Sequence, residues 1–121
     1  MNIGQIQSRF PRARLTLPRR DGAFKVDFII DTGFDGDLSL PPSLANYLNT
    51  EIAGRQSLSM ADGTMVFSPY YRIMIEDWDG EMRLTEVLLL DGHPLLGVNL
   101  LTGYLLQMEI TEGGVVEIEQ L

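Results

Sequence analysis

The chain has 121 residues, of which 45% are hydrophobic and 21% are charged, and its formal net charge is -8. This length predicts one domain, and the composition is that of a globular rather than a disordered protein. The negative charge argues against nucleic-acid binding, and no apolar run is long enough to cross a bilayer. Without cysteine, the chain has no disulfide and no thiolate chemistry.

The amino-terminal segment is basic, because six of the nine basic residues fall within the first 25 positions, where Asp21 is the only acid. Residues 1–11 are expected to form a flexible or subunit-facing arm, and residues 12–121 the core of a single domain over 1–121. A basic arm for an acidic partner remains an alternative. The first residues lack the basic and apolar regions of a secretory signal, so the expected location is cytoplasmic.

Closely spaced turn signals predict an all-β domain. The first two strands are expected over residues 13–17 and 23–30, joined by a turn at 20–22. Pro41 and Pro42 then open a short helix, which is predicted to run through Leu48.

A hairpin is predicted next, because Asp62-Gly63 lies between two extended runs at residues 56–60 and 64–75. A plain surface turn remains the alternative for this segment. A second turn at residues 77–80 has the spacing Asp-x-Asp-Gly, which lacks the further ligands of a calcium loop. We therefore predict no metal and no cofactor.

The remaining segments add two strands and little chemistry. His93 is the only histidine, and no Gly-x-Ser-x-Gly elbow accompanies it for a serine hydrolase. Leu100 and Leu101 are expected to enter a second short helix. Strands follow over residues 104–110 and 115–121, and the second has an apolar stripe that is predicted to lack a partner within one subunit.

Residues 28–34 read FIIDTGF and place a carboxylate, Asp31, at the end of an apolar strand. A carboxylate at such a position must be hydrogen-bonded, paired or protonated. The nearest groups that could satisfy it are the Thr32 hydroxyl and the backbone N–H of Gly33. The plain interpretation of Asp-Thr-Gly is a turn that ends a strand.

Two other segments change this interpretation: residues 38–41 read LSLP and residues 94–101 read PLLGVNLL. Together with residues 28–34 they resemble the retropepsin-like (clan AA) aspartic protease family, in particular its small prokaryotic members with Asp-Thr-Gly-Phe. The resemblance covers residues 13–120. It implies a closed acid-protease barrel with one or two short helices, in which the apolar pair before Gly97 lies behind the Asp-Thr-Gly loop.

The resemblance also implies site residues. The catalytic residues would be Asp31, Thr32 and Gly33. The substrate-binding residues would be Phe34, Asp35, Leu96 and, in the hairpin that forms a flap over a bound peptide, Met60, Ala61, Asp62, Gly63 and Thr64. Viral relatives carry at the position of Val98 an Arg that pairs with the acid matched here by Asp35, and Val98 cannot form that ion pair.

An aspartic protease needs two carboxylates, and this chain has one Asp-Thr-Gly. The expected function is therefore a homodimeric endopeptidase in which Asp31 of each subunit activates a water for hydrolysis of a peptide or protein substrate. Neither nucleic acid nor membrane is an expected partner. Two alternatives stay open: a catalytically silent peptide-binding or regulatory dimer of the same fold, and a β-rich interaction module in which Asp31 caps a turn.

Overall fold

The computed structural model describes residues 1–59 and 62–121. Its elements are β1 (Asn2–Gln7), β2 (Phe10–Arg19), β3 (Gly22–Asp31), β4 (Leu38–Leu40), α1 (Pro42–Ala45), β5 (Gly54–Ser59), β6 (Met65–Glu76), β7 (Met82–Leu89), β8 (Leu95–Gly97), β9 (Tyr104–Met108) and β10 (Val115–Gln120). Strands account for 59% of the described residues and helix for 3%, which confirms the all-β prediction. Within the described ranges, no helix is long and apolar enough to cross a membrane.

The ten strands of the described residues belong to one sheet, in the order β5-β6-β7-β4-β8-β3-β2-β1-β10-β9. Strands β2 and β6 are not neighbours in this order, yet they lie in contact, so the sheet curls over its own core. The edges β5 and β9 are not paired with each other in the described part of the chain, so the sheet is not closed. The expected closed barrel is therefore present only as a curled, open sheet.

The core is built from alternate residues of the long strands. In β3, Val26, Phe28 and Ile30 are buried, as the alternation in the sequence predicts. Facing positions of β2 and β10 add further apolar side chains, and β4 and β8 are buried almost throughout. The side chains that have no exposed surface include Leu17, Phe28, Leu38, Leu40, Leu96, Leu100 and Val116.

The amino-terminal segment is part of this sheet. Strand β1 pairs with β2 on one side and with β10 on the other, and its residues Ile3 and Ile6 are buried. The structure therefore places residues 2–7 in a paired strand rather than in a flexible arm. The two isoleucines are three positions apart, and the register shifts between Asn2 and Gly4, so the segment lacks the strict alternation that identifies a strand from sequence.

The carboxyl-terminal strand has partners on both sides within the same chain. Strand β10 lies between β1 and β9, and its residues Val116 and Ile118 are buried in the chain's own core. The prediction that its apolar stripe lacks a partner within one subunit is therefore wrong. Its second neighbour is β1, a strand that was not predicted from the sequence.

Both predicted helices are shorter than expected. Helix α1 ends at Ala45 rather than Leu48, and Leu48 instead forms an isolated bridge with Arg19. Residues 98–103 form turns rather than a second helix. Two observations account for the second difference: the guanidinium of Arg83 donates to the carbonyl oxygens of Asn99 and Leu100, which a helix would use internally, and Gly103 has a φ of 95°.

Strands β1 and β2 lie so close together at Gly4 that one added methyl group is expected to destabilise the fold. A Cβ added at Gly4 would overlap the backbone carbonyl oxygen of Arg12. We expect Gly4→Ala to lower the free energy of unfolding by about 1–3 kcal/mol or more, because backbone atoms must shift to make room. Denaturant unfolding measures the change, and Gln5→Ala, at an exposed position of the same strand, is the control. Equal stability of Gly4→Ala and the wild type would contradict the pairing of β1.

Candidate active site

Asp31 lies at the end of β3, where β8 runs parallel beside it. In this register Ile30 is next to Leu96, and Asp31 is next to Gly97. The side chain of Asp31 is partly buried, and its Oδ1 accepts a hydrogen bond of 2.9 Å from the backbone N–H of Gly33. The sequence prediction that Gly33 satisfies this carboxylate is confirmed, whereas Thr32 is exposed to solvent.

The loop after Asp31 is fixed to the end of β8 by three backbone hydrogen bonds. The N–H groups of Gly97, Val98 and Asn99 donate to the carbonyl oxygens of Asp37, Phe34 and Gly36, at 2.8, 2.8 and 3.2 Å. Strand β8 is also inserted between β3 and β4 in the sheet. The expectation that the apolar pair before Gly97 lies behind the loop is therefore confirmed.

Gly97 is needed for this close approach. A Cβ at this position would overlap the carbonyl oxygen of Gly36 and would lie 2.8 Å from Cδ2 of Phe34. We expect Gly97→Ala to lower the free energy of unfolding by about 1–3 kcal/mol or more and to displace the loop from β8. Thermal unfolding measures the loss. Val98→Ala is the control, because that side chain is 41% exposed, and similar stability of the two variants would contradict the prediction.

A groove of about 770 Å³ lies between the Asp31 loop and the β5–β6 hairpin. Its walls carry carboxylates, apolar side chains and the polar groups of β5. The lining residues are Asp31, Gly33, Phe34, Asp35, Gly36, Asp37, Gln56, Ser57, Leu58, Ser59, Met65, Glu86, Leu90 and Asn99. The structure thus places Asp31, Gly33, Phe34 and Asp35 opposite the predicted hairpin, whereas Thr32 does not line the groove.

The hairpin itself is confirmed, since β5 and β6 pair antiparallel from Gly54–Tyr70 to Ser59–Met65. In its turn Gly63 has a φ of 87°, as an Asp-Gly turn requires. Oδ1 of Asp62 accepts hydrogen bonds from the Thr64 hydroxyl and N–H, which lower the pKa of this carboxyl. The strands line the groove, but residues 62–64 do not. Met60 and Ala61, also predicted to cover substrate, lie outside the described residues.

Leu96 and Asp35 were both predicted to bind substrate, but only Asp35 lines the groove. Leu96 is fully buried between β3 and β4, so it supports the loop from behind and does not line the groove. Asp35 is exposed at the groove, and none of the salt bridges in the described ranges includes it. Val98, at the position where viral relatives carry an Arg, lies in the turn after β8.

Asp37 is a groove residue that was not predicted from the sequence, and it is 8% exposed. Its Oδ1 accepts a hydrogen bond of 2.7 Å from the Asn99 side chain, and its Oδ2 accepts one of 3.0 Å from the backbone N–H of Glu86. Its position in the sequence was a usable signal, because an acid that directly precedes the apolar β4 must find hydrogen-bond donors when it is buried.

The acids of the second turn are used within the fold. Oδ1 of Asp77 accepts hydrogen bonds from the N–H groups of Asp79 and Glu81, as in a capped turn. Asp79 accepts a hydrogen bond from the hydroxyl of Tyr104, which raises the pKa of that phenol from 10.0 to about 12. The shift favours the neutral phenol, so this contribution to stability is complete below pH 10.0 and is lost as the pH rises through about 12. No group of three metal-ligating side chains occurs in the described ranges.

The chain matches no protein-family model, and no curated protein shows significant similarity to it. The geometry of the groove around Asp31 is therefore the basis for assigning a function.

Proposed function

We propose that the chain is a homodimeric aspartic endopeptidase of the retropepsin-like type, in which Asp31 of each subunit activates a water for peptide-bond hydrolysis. The observation that carries this proposal is the placement of Asp31. It ends a buried strand in a loop that is fixed to β8, and it lines a groove whose opposite side is a β hairpin.

The chemistry follows from two carboxylates that share one proton. When two such groups lie side by side, both cannot ionise, so one stays protonated. The ionised Asp31 takes a proton from the water, and the protonated one donates to the oxygen of the scissile carbonyl. Since the chain has one Asp-Thr-Gly, we infer that the second carboxylate comes from a second copy.

The groove suits an extended peptide. Strand β5 is an edge of the sheet, and its residues 56–59 line the groove. Backbone groups of an edge strand can pair with an extended chain, while pockets on the opposite wall receive alternate side chains. Leu58, Met65 and Leu90 supply apolar contacts along the same groove. These features favour a peptide over a small polar substrate.

A cleavage assay tests the proposal. The purified chain is incubated with a peptide library in water enriched in ¹⁸O, and the products are read by mass spectrometry. We expect internal cleavage at mildly acidic pH, with one heavy oxygen in each new carboxyl group, because water attacks directly. An Asp31→Asn chain prepared in parallel reports contaminating proteases. Products that are equally abundant with both chains would reject the assignment.

A catalytically silent peptide-binding dimer is the second candidate, and the isolation of Asp35 favours it. In the resembling viral enzymes an Arg supports the matching acid, and Val98 is found here instead. The same peptide library distinguishes the two functions. Peptides that are retained by the chain without being cleaved would favour the silent dimer.

A further inference from the structure

We propose that Asp37 is a positioning residue, which holds the Asp31 loop in register through a hydrogen-bonded bridge to Asn99 and to the backbone of Glu86. The inference deepens the proposed function and rests on it for its effect on catalysis. Asp37 does not belong to the Asp-Thr-Gly motif. It acts on Asp31 through β8, because the carbonyl of Asp37 is hydrogen-bonded to Gly97 and Gly97 lies next to Asp31.

The bridge joins three parts of the fold. One carboxylate oxygen of Asp37 accepts a hydrogen bond of 2.7 Å from the side chain of Asn99, which lies in the turn after β8. The other accepts a hydrogen bond of 3.0 Å from the backbone N–H of Glu86, which lies in β7. The backbone carbonyl of Asp37 accepts the N–H of Gly97 at 2.8 Å. Since Gly97 is the register partner of Asp31, movement at Asp37 is transmitted directly to the proposed catalytic residue.

Asn99 is also held from its other side. Its carbonyl oxygen accepts a hydrogen bond of 3.1 Å from Arg83, and the same guanidinium donates to the carbonyl of Leu100 at 3.0 Å. The backbone N–H of Asn99 donates to Gly36 at 3.2 Å. The Asn99 backbone is therefore anchored on both sides, and its side chain extends from this fixed position to Asp37.

The chemistry of the bridge indicates a positioning role. Asp37 is 8% exposed, and the salt bridges of the described residues do not include it. Neutral donors alone satisfy this buried carboxylate, and an apolar residue would avoid its desolvation cost. A carboxylate offers two acceptor oxygens in a fixed plane, so it can join two donors from separate strands. This geometry matters because a displacement of about 1 Å at a catalytic group can reduce a rate by about 100-fold.

A reciprocal swap tests the bridge. In Asp37→Asn, the new N–H₂ group faces either the Asn99 amide or the Glu86 N–H, so one of the two hydrogen bonds is lost. In Asn99→Asp, a second carboxylate faces Asp37, and the two repel each other. We expect each single variant to lower kcat by about 10- to 100-fold, with a change in KM of about threefold or less. The double variant Asp37→Asn/Asn99→Asp restores a donor and an acceptor at the same place, so it should recover most of kcat. Asp91→Asn, at an exposed loop position outside the groove, is the control.

Amide hydrogen exchange provides a readout that does not depend on catalysis. The N–H groups of Gly97, Val98 and Asn99 should exchange faster in each single variant, relative to the amides of β2 and β3, and should slow again in the double variant. If kcat and these exchange rates are unchanged in Asp37→Asn, the inference is wrong. It is also wrong if the double variant is no better than the single ones. If the wild type cleaves no peptide, the proposed function fails, and the exchange rates still decide whether Asp37 holds the loop.

Discussion

Replacing Asp31 with Asn is expected to reduce peptide hydrolysis by at least about 1,000-fold while leaving the fold intact, because the chemical step loses both its general base and its shared proton. The amide has nearly the same shape as the carboxyl group. Its oxygen can still accept the hydrogen bond that Gly33 donates to Asp31 at 2.9 Å. The loop is therefore expected to keep its position on β8.

The measurement is kcat on a fluorogenic peptide taken from the best cleavage site in the library. Circular dichroism and thermal unfolding of the same preparations separate a loss of chemistry from a loss of fold. Asp91→Asn removes a carboxylate outside the groove and controls for the change in charge. Hydrolysis by Asp31→Asn at the wild-type rate would remove Asp31 from the mechanism, and with it the peptidase assignment.

The sequence predicted those parts of the fold in which local pattern and tertiary structure agree. In β3 a period-2 alternation coincides with a buried face, and in the hairpin Asp62-Gly63 supplies the φ of 87° that the turn needs at Gly63. The turn at residues 77–80 is equally local, since Asp77 caps it with its own side chain. Each of these features is determined by residues that lie close together in the chain.

The features that could not be predicted depend on distant residues. Strand β1 is stabilised by pairing with β10, more than 100 positions away, and its bulge removes the alternation that would reveal it. The sequence pattern of residues 98–103 predicts a helix, but in the structure Arg83, which is distant in the chain, donates to the carbonyl groups of this turn. In the candidate site, Asp31 is marked by its motif, whereas the sequence marks Asp37 only as an acid before an apolar strand, and its partners, Asn99 and the Glu86 backbone, are distant in the chain.

The pairing of β10 within its own chain changes where two subunits can meet. In the resembling viral enzymes the terminal strands of both subunits interleave, but here β1 and β9 already occupy both edges of β10. A shared dyad requires the two Asp31 loops to face each other. Thr32 and Gly33 are exposed in that loop, and Val98, on the adjacent turn, is 41% exposed. We therefore expect the twofold axis to pass beside these residues.

Mixing subunits tests this arrangement, because a chain with Asp31→Asn should inhibit the wild type by joining it. After exchange between equal amounts of the two chains, only about a quarter of the dimers carry two Asp31 carboxylates, so activity per wild-type chain should fall by about half. An equal mass of an unrelated protein is the control, and peptide is kept in large excess so that binding by inactive dimers has no effect.

Dilution of the wild type provides the complementary measurement. Specific activity should fall over the concentration range in which sedimentation shows dimers dissociating, since a separated chain has one Asp31 and cannot hold a proton and a water between two carboxylates. A stable dimer typically buries about 800 Å² per partner. Because such an interface is stable, we expect the dimer to dissociate only when the protein is strongly diluted. If a monomer retained full specific activity at every dilution, and the Asp31→Asn chain left the wild type unaffected, the second carboxylate could not come from another copy. The described groove would then have to complete the reaction with its own Asp35, Asp37 or Glu86.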